Sequence, residues 1–433
     1  MKYIIGIDIG TTSISIAAIN ESREVIDSIT ANHDAFIPGD FPESRVQSPE
    51  RIFEIVIIYL KLLIKKYGQP LAIGMTGQMH GILYVNSQGQ SISPLYTWQD
   101  SSGNIRINGK SSIEILHENG LKCSSGYGIS THFYLQRSGK IPYDAVKITT
   151  ISDYIAMKIC GNDAPILSSE MAAGLGCFDV MRREFMSDAL KSAGVDVSFL
   201  PKNVKGYSIV GHTEAGVPVV CSMGDNQASF MGSVDKPENT LLLNIGTGSQ
   251  ISFMTPVYVE SNSDIELRPY GNAYILAGSA LCGGRAYAML EEFYREISGH
   301  SCYDLMSRHA EDFLNSHDIS QAWDVDTRFQ GTRSDPSITG NIRGITADNF
   351  CPGAFTVGVI CGIIGELHGM YKKISLLTSR RADFIVGSGN ALRRNKSMQR
   401  IAKKIFGLEV RLSDNGEEAA RGAAICAANV TGS

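Results

Sequence analysis

None of the nine cysteines stands in a Cys-x-x-Cys pair, and their number is odd. That argues against a zinc site and a disulfide framework, and for a reducing compartment. Basic residues are not in excess: the formal net charge is −5, which leaves no footprint for nucleic acid or an anionic membrane. No uninterrupted apolar run reaches the roughly 20 residues a membrane span needs. The two nearest, residues 52–64 and 355–370, carry Glu54 and Lys61, and Glu366 and His368. Nothing resembling a signal peptide precedes the first strand, so a cytoplasmic location is expected. With 19% charged and 43% hydrophobic residues, the composition is far from disorder, collagen or coiled coil. The expected partners are therefore small molecules, with no nucleic acid and no membrane.

At 433 residues the chain exceeds one ordinary core and implies two to three domains. Its organising stretch is Ile5-Gly6-Ile7-Asp8-Ile9-Gly10-Thr11-Thr12-Ser13. An apolar strand carrying Asp8 breaks into a turn where a glycine free to take positive φ is surrounded by backbone N–H and hydroxyl donors, a cradle for an anion. One such turn alone is ordinary hairpin chemistry. The chain, however, repeats it: Leu243-Asn244-Ile245-Gly246-Thr247-Gly248-Ser249 matches in register at Ile, Gly, Thr and Ser. A carboxylate inside an apolar strand costs free energy unless a metal, a donor or water meets it. Two cradles in separate halves suggest one ligand held between two similar domains.

Taken in order, Ile14–Ile19 and Val25–Ile29 read as further strands of a meander, followed by a polar loop to about residue 47. Ser48-Pro49-Glu50 opens a helix that Gly68 closes. That helix is apolar nearly all round and is expected to be buried. Leu71–Met75 is a short buried strand, so three strands, a helix and a strand begin a ribonuclease-H-like α/β layer. Thr76-Gly77-Gln78-Met79-His80-Gly81 comes next, where Gln78 and His80 both donate and accept, as a polyhydroxylated ligand requires. Ile82–Val85 and a partner strand form a hairpin that ends at Trp98-Gln99-Asp100; the Trp98 ring serves either a sugar or the core. Gly126–Thr131 reads as a loop able to line a cleft. Helices are expected near 111–118, 152–160 and 184–193.

Val217–Cys221 is a buried strand leading into Gly224-Asp225-Asn226. Asp225, where strand gives way to helix, either caps that helix or acts as a general base. We place one domain at 1–232 and a second at 233–433. The second begins with the hairpin 240–254 and continues with helices at 284–297 and 301–316. The turn-rich loop 329–336 has no assigned duty. In the helix 353–377, Gly358, Gly362, Gly365 and Gly369 share one face, where another backbone could approach. Asp383–Val386 runs into the glycine-rich turn Gly387-Ser388-Gly389-Asn390, and Arg393, Arg394, Lys396, Arg400, Lys403 and Lys404 are expected on a solvated face. An alanine-rich helix comes after Gly416.

The ordered set Gly6–Ser13, Gly77–Gly81, Trp98–Asp100, Gly224–Asn226, Asn244–Gly248 and Gly387–Gly389 resembles the FGGY family of carbohydrate kinases along essentially the whole chain. The resemblance implies two ribonuclease-H-like domains of the actin/hexokinase type, closing on a sugar and MgATP. By that analogy Asp8 holds Mg2+ through water, and Gly10, Thr11, Thr12, Gly246, Thr247 and Gly248 surround the phosphates. Gly387, Ser388, Gly389 and Asn395 border the adenosine. Gln78, Met79, His80, Trp98, Asp225 and Asn226 contact the sugar, with Asp225 as the base. Gly77–Gly81 is similar to the ketose-kinase branch, so the implied reaction is phosphorylation of a terminal ketose hydroxyl, sedoheptulose first and D-xylulose second. Many members carry a Lys-x-x-Trp run where this chain has Thr131-His132-Phe133-Tyr134. A homodimer is left open, and the alternative of another class is an actin-like ATPase that binds no sugar.

Overall fold

Ile4, Ile5, Ile7 and Ile9 are all buried in β1 (Ile4–Ile9) because the sheet they enter is covered on both faces. In this computed structural model, residues 1–261, 264–332, 335, 337–413 and 416–433 are described. The chain divides into two compact units: unit 1 comprises Met1–Gly232, Pro269–Asn272 and Asn415–Ser433, and unit 2 comprises Ser233–Arg268 and Ala273–Asp414. Both Pro269–Asn272 and the last helix, which the sequence reading included in the domain 233–433, thus fall in unit 1. The helix does so because it packs on β1.

In unit 1, β1 pairs antiparallel with β2 (Ser13–Ile19), which pairs with β3 (Val25–Asn32). On its other side β1 runs parallel to β4 (Ile73–Gly77). Beyond β4 the sheet continues through β6 (Pro218–Val220) to β5 (Ile209–His212) at its edge, and β7 (Met223–Gly224) also lies parallel to β4. The helix α1 (Pro49–Tyr67) starts as expected, with Ser48 Oγ accepting from the Arg51 N–H at 3.2 Å, and ends at Gly68. It is amphipathic rather than wholly buried: Ile52, Val56, Leu60 and Leu63 join Ile5, Ile7 and Ile9 in one core, while Ile58 and Leu62 face solvent.

The opposite face of β1 carries Ile4, Gly6 and Asp8 by alternation. Against it packs α9 (Glu418–Thr431), whose Ala424–Ala428 share a core with Ile4. The approach is too close for side chains: a Cβ on Gly6 would stand 1.8 Å from the Ala420 carbonyl oxygen, and one on Gly74 1.9 Å from that of Ala423.

Four local readings change. Leu83–Val85 pairs with Lys147–Thr149, leaving the expected hairpin as single bridges, Ile82 to Tyr96 and Val85 to Ser91. The loop at 126–131 is a helix from Gly128, α2 (Gly128–Arg137), and the helix expected at 184–193 spans only Ser187–Ser192. Nor is 33–47 wholly loop, since Phe36–Ile37 and Val46–Gln47 form a small sheet with Leu95–Tyr96.

Unit 2 repeats the opening hairpin as β8 (Thr240–Ile245) and β9 (Ser249–Thr255). β8 has the same succession of buried and half-buried positions as β1, with Asn244 at the place of Asp8. Its sheet runs β10 (Ile265–Tyr270), β11 (Ala273–Ala280), β9, β8, β13 (Phe384–Ser388), β14 (Glu409–Leu412). Among its α-helices are α5 (Gly284–Ser298), α6 (Pro352–Thr378), α7 (Asn390–Arg394) and α8 (Lys396–Phe406), with a further helix at Tyr303–Ser316 where one was expected. α6 is long and apolar enough to span a membrane, but most of that stretch is buried in this unit. Its glycines divide: Gly358 and Gly362 admit the backbone at Trp323 and Val325, beside and within β12 (Asp324–Asp326), whereas Gly365 and Gly369 face open space. In the loop 329–336, Arg333, Ser334 and Pro336 lie outside the described residues.

Candidate active site

Register places Asp8, Thr76 and Met223 side by side across three parallel strands, with Ile9, Gly77 and Gly224 one residue further on. The three strands of unit 1 therefore end at one level. The segments that continue from them, Gly10–Thr12, Gln78–His80 and Asp225–Asn226, leave the sheet along one edge, the carboxyl edge where open α/β sheets bind ligands.

Asp8 is half-buried, yet its Oδ1 is out of contact with solvent and without a hydrogen-bond partner. Burial first, then the charges of Asp225 and Glu417, push its pKa from 3.8 up to about 7. Two further carboxylates of unit 1 thus bear on Asp8. A divalent ion would fit this arrangement, since it supplies the missing partner and offsets the repulsion.

The first cradle differs from expectation in its backbone. Gly10 has no positive φ; its N–H donates to the Ser13 carbonyl at 2.9 Å, and a Cβ would stand 2.9 Å from that same oxygen. Thr11 is tied sideways. Its Oγ1 accepts from Trp98 Nε1 at 2.9 Å and lies 3.4 Å from Gln78 Oε1, and its carbonyl accepts from Gln47 Nε2 at 2.7 Å. Gln78 Nε2 donates in turn to Gln47 Oε1 at 3.0 Å. Trp98 is accordingly no core residue: 47% of it is exposed, its edge anchored to the cradle. Asp100 is buried behind it, accepting from the N–H groups of Arg45 and Ser102.

His80 adopts φ of +76°, uncommon for a side chain of its size. Its ring stacks on Tyr127 at 4.3 Å and 4°, and Nδ1 lies 2.6 Å from the Gly174 carbonyl oxygen. Met79 is buried, filling the space left by Gly174 and Gly224: Cβ atoms there would stand 2.9 Å from its Cε and 2.6 Å from its Sδ. Asp225 is exposed at the first residue of α4 (Asp225–Ser233), and its Oδ1 accepts from the Asn226 N–H at 2.7 Å.

In unit 2 the second cradle, Gly246–Gly248, is met by two further glycine turns. The Gly284 N–H donates to the Gly246 carbonyl at 2.9 Å and that of Arg285 to Thr247 at 2.8 Å. Gly389, at φ +85°, packs so tightly on the end of β8 that a Cβ would stand 2.4 Å from the Ile245 carbonyl oxygen. Neither Gly246 nor Gly248 has positive φ; the space above Gly246 is open. Ser388 is buried, and Asn395 caps α8, its Oδ1 accepting from the Met398 N–H at 2.9 Å.

Family models of the FGGY carbohydrate kinases match both halves: the N-terminal domain over residues 3–232 and the C-terminal domain over residues 241–430. The chain belongs to the FGGY family of carbohydrate kinases. It is an enzyme with the two-domain, actin/hexokinase-like fold of that family, catalysing ATP-dependent sugar phosphorylation. The reading as an ATPase with no sugar substrate falls away. Mouse sedoheptulokinase is 26% identical over 472 residues, covering 97% of this chain and 96% of the relative. Xylulose kinase of Staphylococcus xylosus is 24% identical, covering 61% of this chain and 57% of its own. In fold, xylulose kinase from Rhodospirillum rubrum matches with a TM-score of 0.85 at 17% identity, covering 100% of this chain and 90% of that one.

The structure of this FGGY kinase also brings in residues that sequence reasoning missed. Gln47 gave no signal, lying at the end of a polar loop. The Gly283-Gly284 pair between strand and helix carried a signal, a glycine turn after an apolar strand, that went unread. Glu417, at φ +60° just before α9, was hidden in an alanine-rich run.

Proposed function

We propose that this kinase phosphorylates a ketose on its terminal hydroxyl, with sedoheptulose giving sedoheptulose 7-phosphate, and that Asp225 is the general base. The observation that supports the substrate is the higher identity to sedoheptulokinase over the full length, 26% over 97% of this chain, against 21% over 99% for the xylulose kinase of Staphylococcus epidermidis and 24% over 61% for that of Staphylococcus xylosus. The second reading, D-xylulose kinase, rests on those xylulose-kinase matches.

In unit 1, Trp98 offers an aromatic face and Gln78, His80 and Asn226 offer hydrogen bonds to sugar hydroxyls. Asp225, exposed at a strand end and held by its own backbone, takes the proton of the attacking hydroxyl. The sugar oxygen then forms its bond to the γ-phosphorus as the bond to the ADP oxygen breaks. The Thr11 and Thr12 N–H groups and the Thr12 hydroxyl present donors to phosphate oxygens, with Gly10 closing the turn through its bond to Ser13. Asp8 would hold Mg2+ through water, and that ion would neutralise charge on the phosphates. In unit 2, Thr247 and Gly248 present the second set of donors, with the Gly246 N–H closing the turn onto the Gly248 carbonyl at 3.0 Å, while Gly387, Ser388, Gly389 and Asn395 border the adenosine. Such positioning and charge neutralisation is what phosphoryl transfer requires.

The test is product analysis after incubation with MgATP and sedoheptulose. A phosphate ester on the terminal carbon by 31P and 13C nuclear magnetic resonance is expected. An ester elsewhere, or ADP released with inorganic phosphate as the only other product, would contradict the reading.

A further inference from the structure

Asp225 is exposed and, among the described residues, its side chain bonds to the start of its own helix, so its aim depends on how the backbone at Gly224 and α4 is held. Directly behind lies a buried carboxylate that the reaction does not use. Glu170, 2% exposed, sits on α3 (Ser169–Gly174), which packs against β7. Its Oε1 accepts from the Tyr207 hydroxyl and, at 3.0 Å, from the Gly271 N–H. The Gly224 N–H also faces this carboxylate and favours its ionised form, as does Arg183, while burial opposes it and brings the pKa to about 7.

The turn Pro269–Asn272 is grasped from several sides within unit 1. Arg183 donates to the Gly271 carbonyl, Gln227 Nε2 of α4 donates to the Pro269 carbonyl at 3.2 Å, and Phe230 of α4 meets Tyr270 edge-on at 5.7 Å. Tyr207 closes over Gly271, where a Cβ would stand 3.2 Å from its Cε2. Both ends of the support for Asp225 therefore meet at Glu170: the strand residue before it, and the turn on which its helix rests.

We propose that Glu170 is a positioning residue for Asp225, acting through Gly224 and the 269–272 turn. This rests on Asp225 being the base. The test compares wild type with Glu170→Gln, Asp225→Asn and the double variant. Readouts are kcat, sugar KM, sugar binding by calorimetry, and the thermal midpoint.

Glu170→Gln is expected to lower kcat by about 10-fold or more while sugar KM stays within about 3-fold. In the Asp225→Asn background the same substitution is expected to change the residual rate by less than about 2-fold, because the group it aims is gone. Tyr207→Phe, which removes only a hydroxyl, is expected to give a smaller loss in kcat of the same kind, and it carries the test if Glu170→Gln fails to fold. The proposal is overturned if Glu170→Gln costs the same factor with and without Asp225. It is overturned equally if kcat, sugar binding and the thermal midpoint fall together in Tyr207→Phe. An Asp225→Asn enzyme at wild-type rate would be visible in that single variant and would remove the base reading along with the proposal.

Discussion

Replacing Asp8 by Asn should stabilise the protein while abolishing its reaction. Asp8 lies on the β1 face shared with Ile4 and Gly6, its Oδ1 buried without a partner and its pKa raised from 3.8 to about 7, chiefly by burial. Linkage gives the sign. Below about pH 4 the folded and unfolded chains are both protonated at this group, and it costs nothing. Between there and pH 7 the folded state keeps a proton that the unfolded chain releases, so stability falls as pH rises, and above pH 7 the whole penalty is present. At about 1.4 kcal/mol per pKa unit the ceiling is about 4 kcal/mol, and water reaching a half-exposed side chain reduces it to roughly 1–2 kcal/mol. Urea unfolding read by tryptophan fluorescence in a Trp323→Phe background isolates Trp98, in unit 1. Asp8→Asn is expected to exceed the parent by roughly 1–2 kcal/mol at pH 8, with the gap closing near pH 4. Mg2+ should stabilise the parent and leave the variant unmoved. A gap that is absent, reversed or the same at both pH values would refute the reasoning.

Asp225→Ala should lower kcat by about 10²–10⁴-fold with ATP binding intact by calorimetry, as loss of a general base requires. Trp98→Phe keeps a ring but loses the N–H that reaches Thr11; sugar KM is expected to rise about 3- to 10-fold, the worth of one hydrogen bond. Gly6→Val should prevent folding or deplete soluble protein, because α9 already stands where the added carbon would go. Circular dichroism and expression yield check it.

The frame of the site was legible because its signals are local. The repeat at 7–13 and 243–249 appears as two hairpins with matching burial, and Ser48, Pro49 and Gly68 set the ends of α1 as capping rules require. Strand ends carrying Asp8 and Asp225 were equally visible, since a carboxylate interrupts an apolar run at each. The features that were not legible depend on contacts far apart in sequence. α2 is buried from Gly128 to Leu135, so it shows no polar face, and its flanking glycines read as loop. The exposed side of α1 escaped notice because Ile58 and Leu62 are as apolar as the residues that bury. Packing of α9 on β1, which moves it into unit 1, is set by Gly6 and Gly74, more than 300 residues away by number. The tie between Thr11, Gln47, Gln78 and Trp98 likewise joins four separate segments through single hydrogen bonds.

The most direct test of the central claim is kcat/KM for ATP-dependent phosphorylation, measured by coupled ADP release against sedoheptulose, D-xylulose, D-ribulose, L-ribulose and glycerol. The account predicts a clear preference for sedoheptulose and ADP release that depends on added sugar. A preference for D-xylulose would contradict the substrate assignment, and ADP release that no sugar stimulates would contradict the assigned roles of the unit 1 residues.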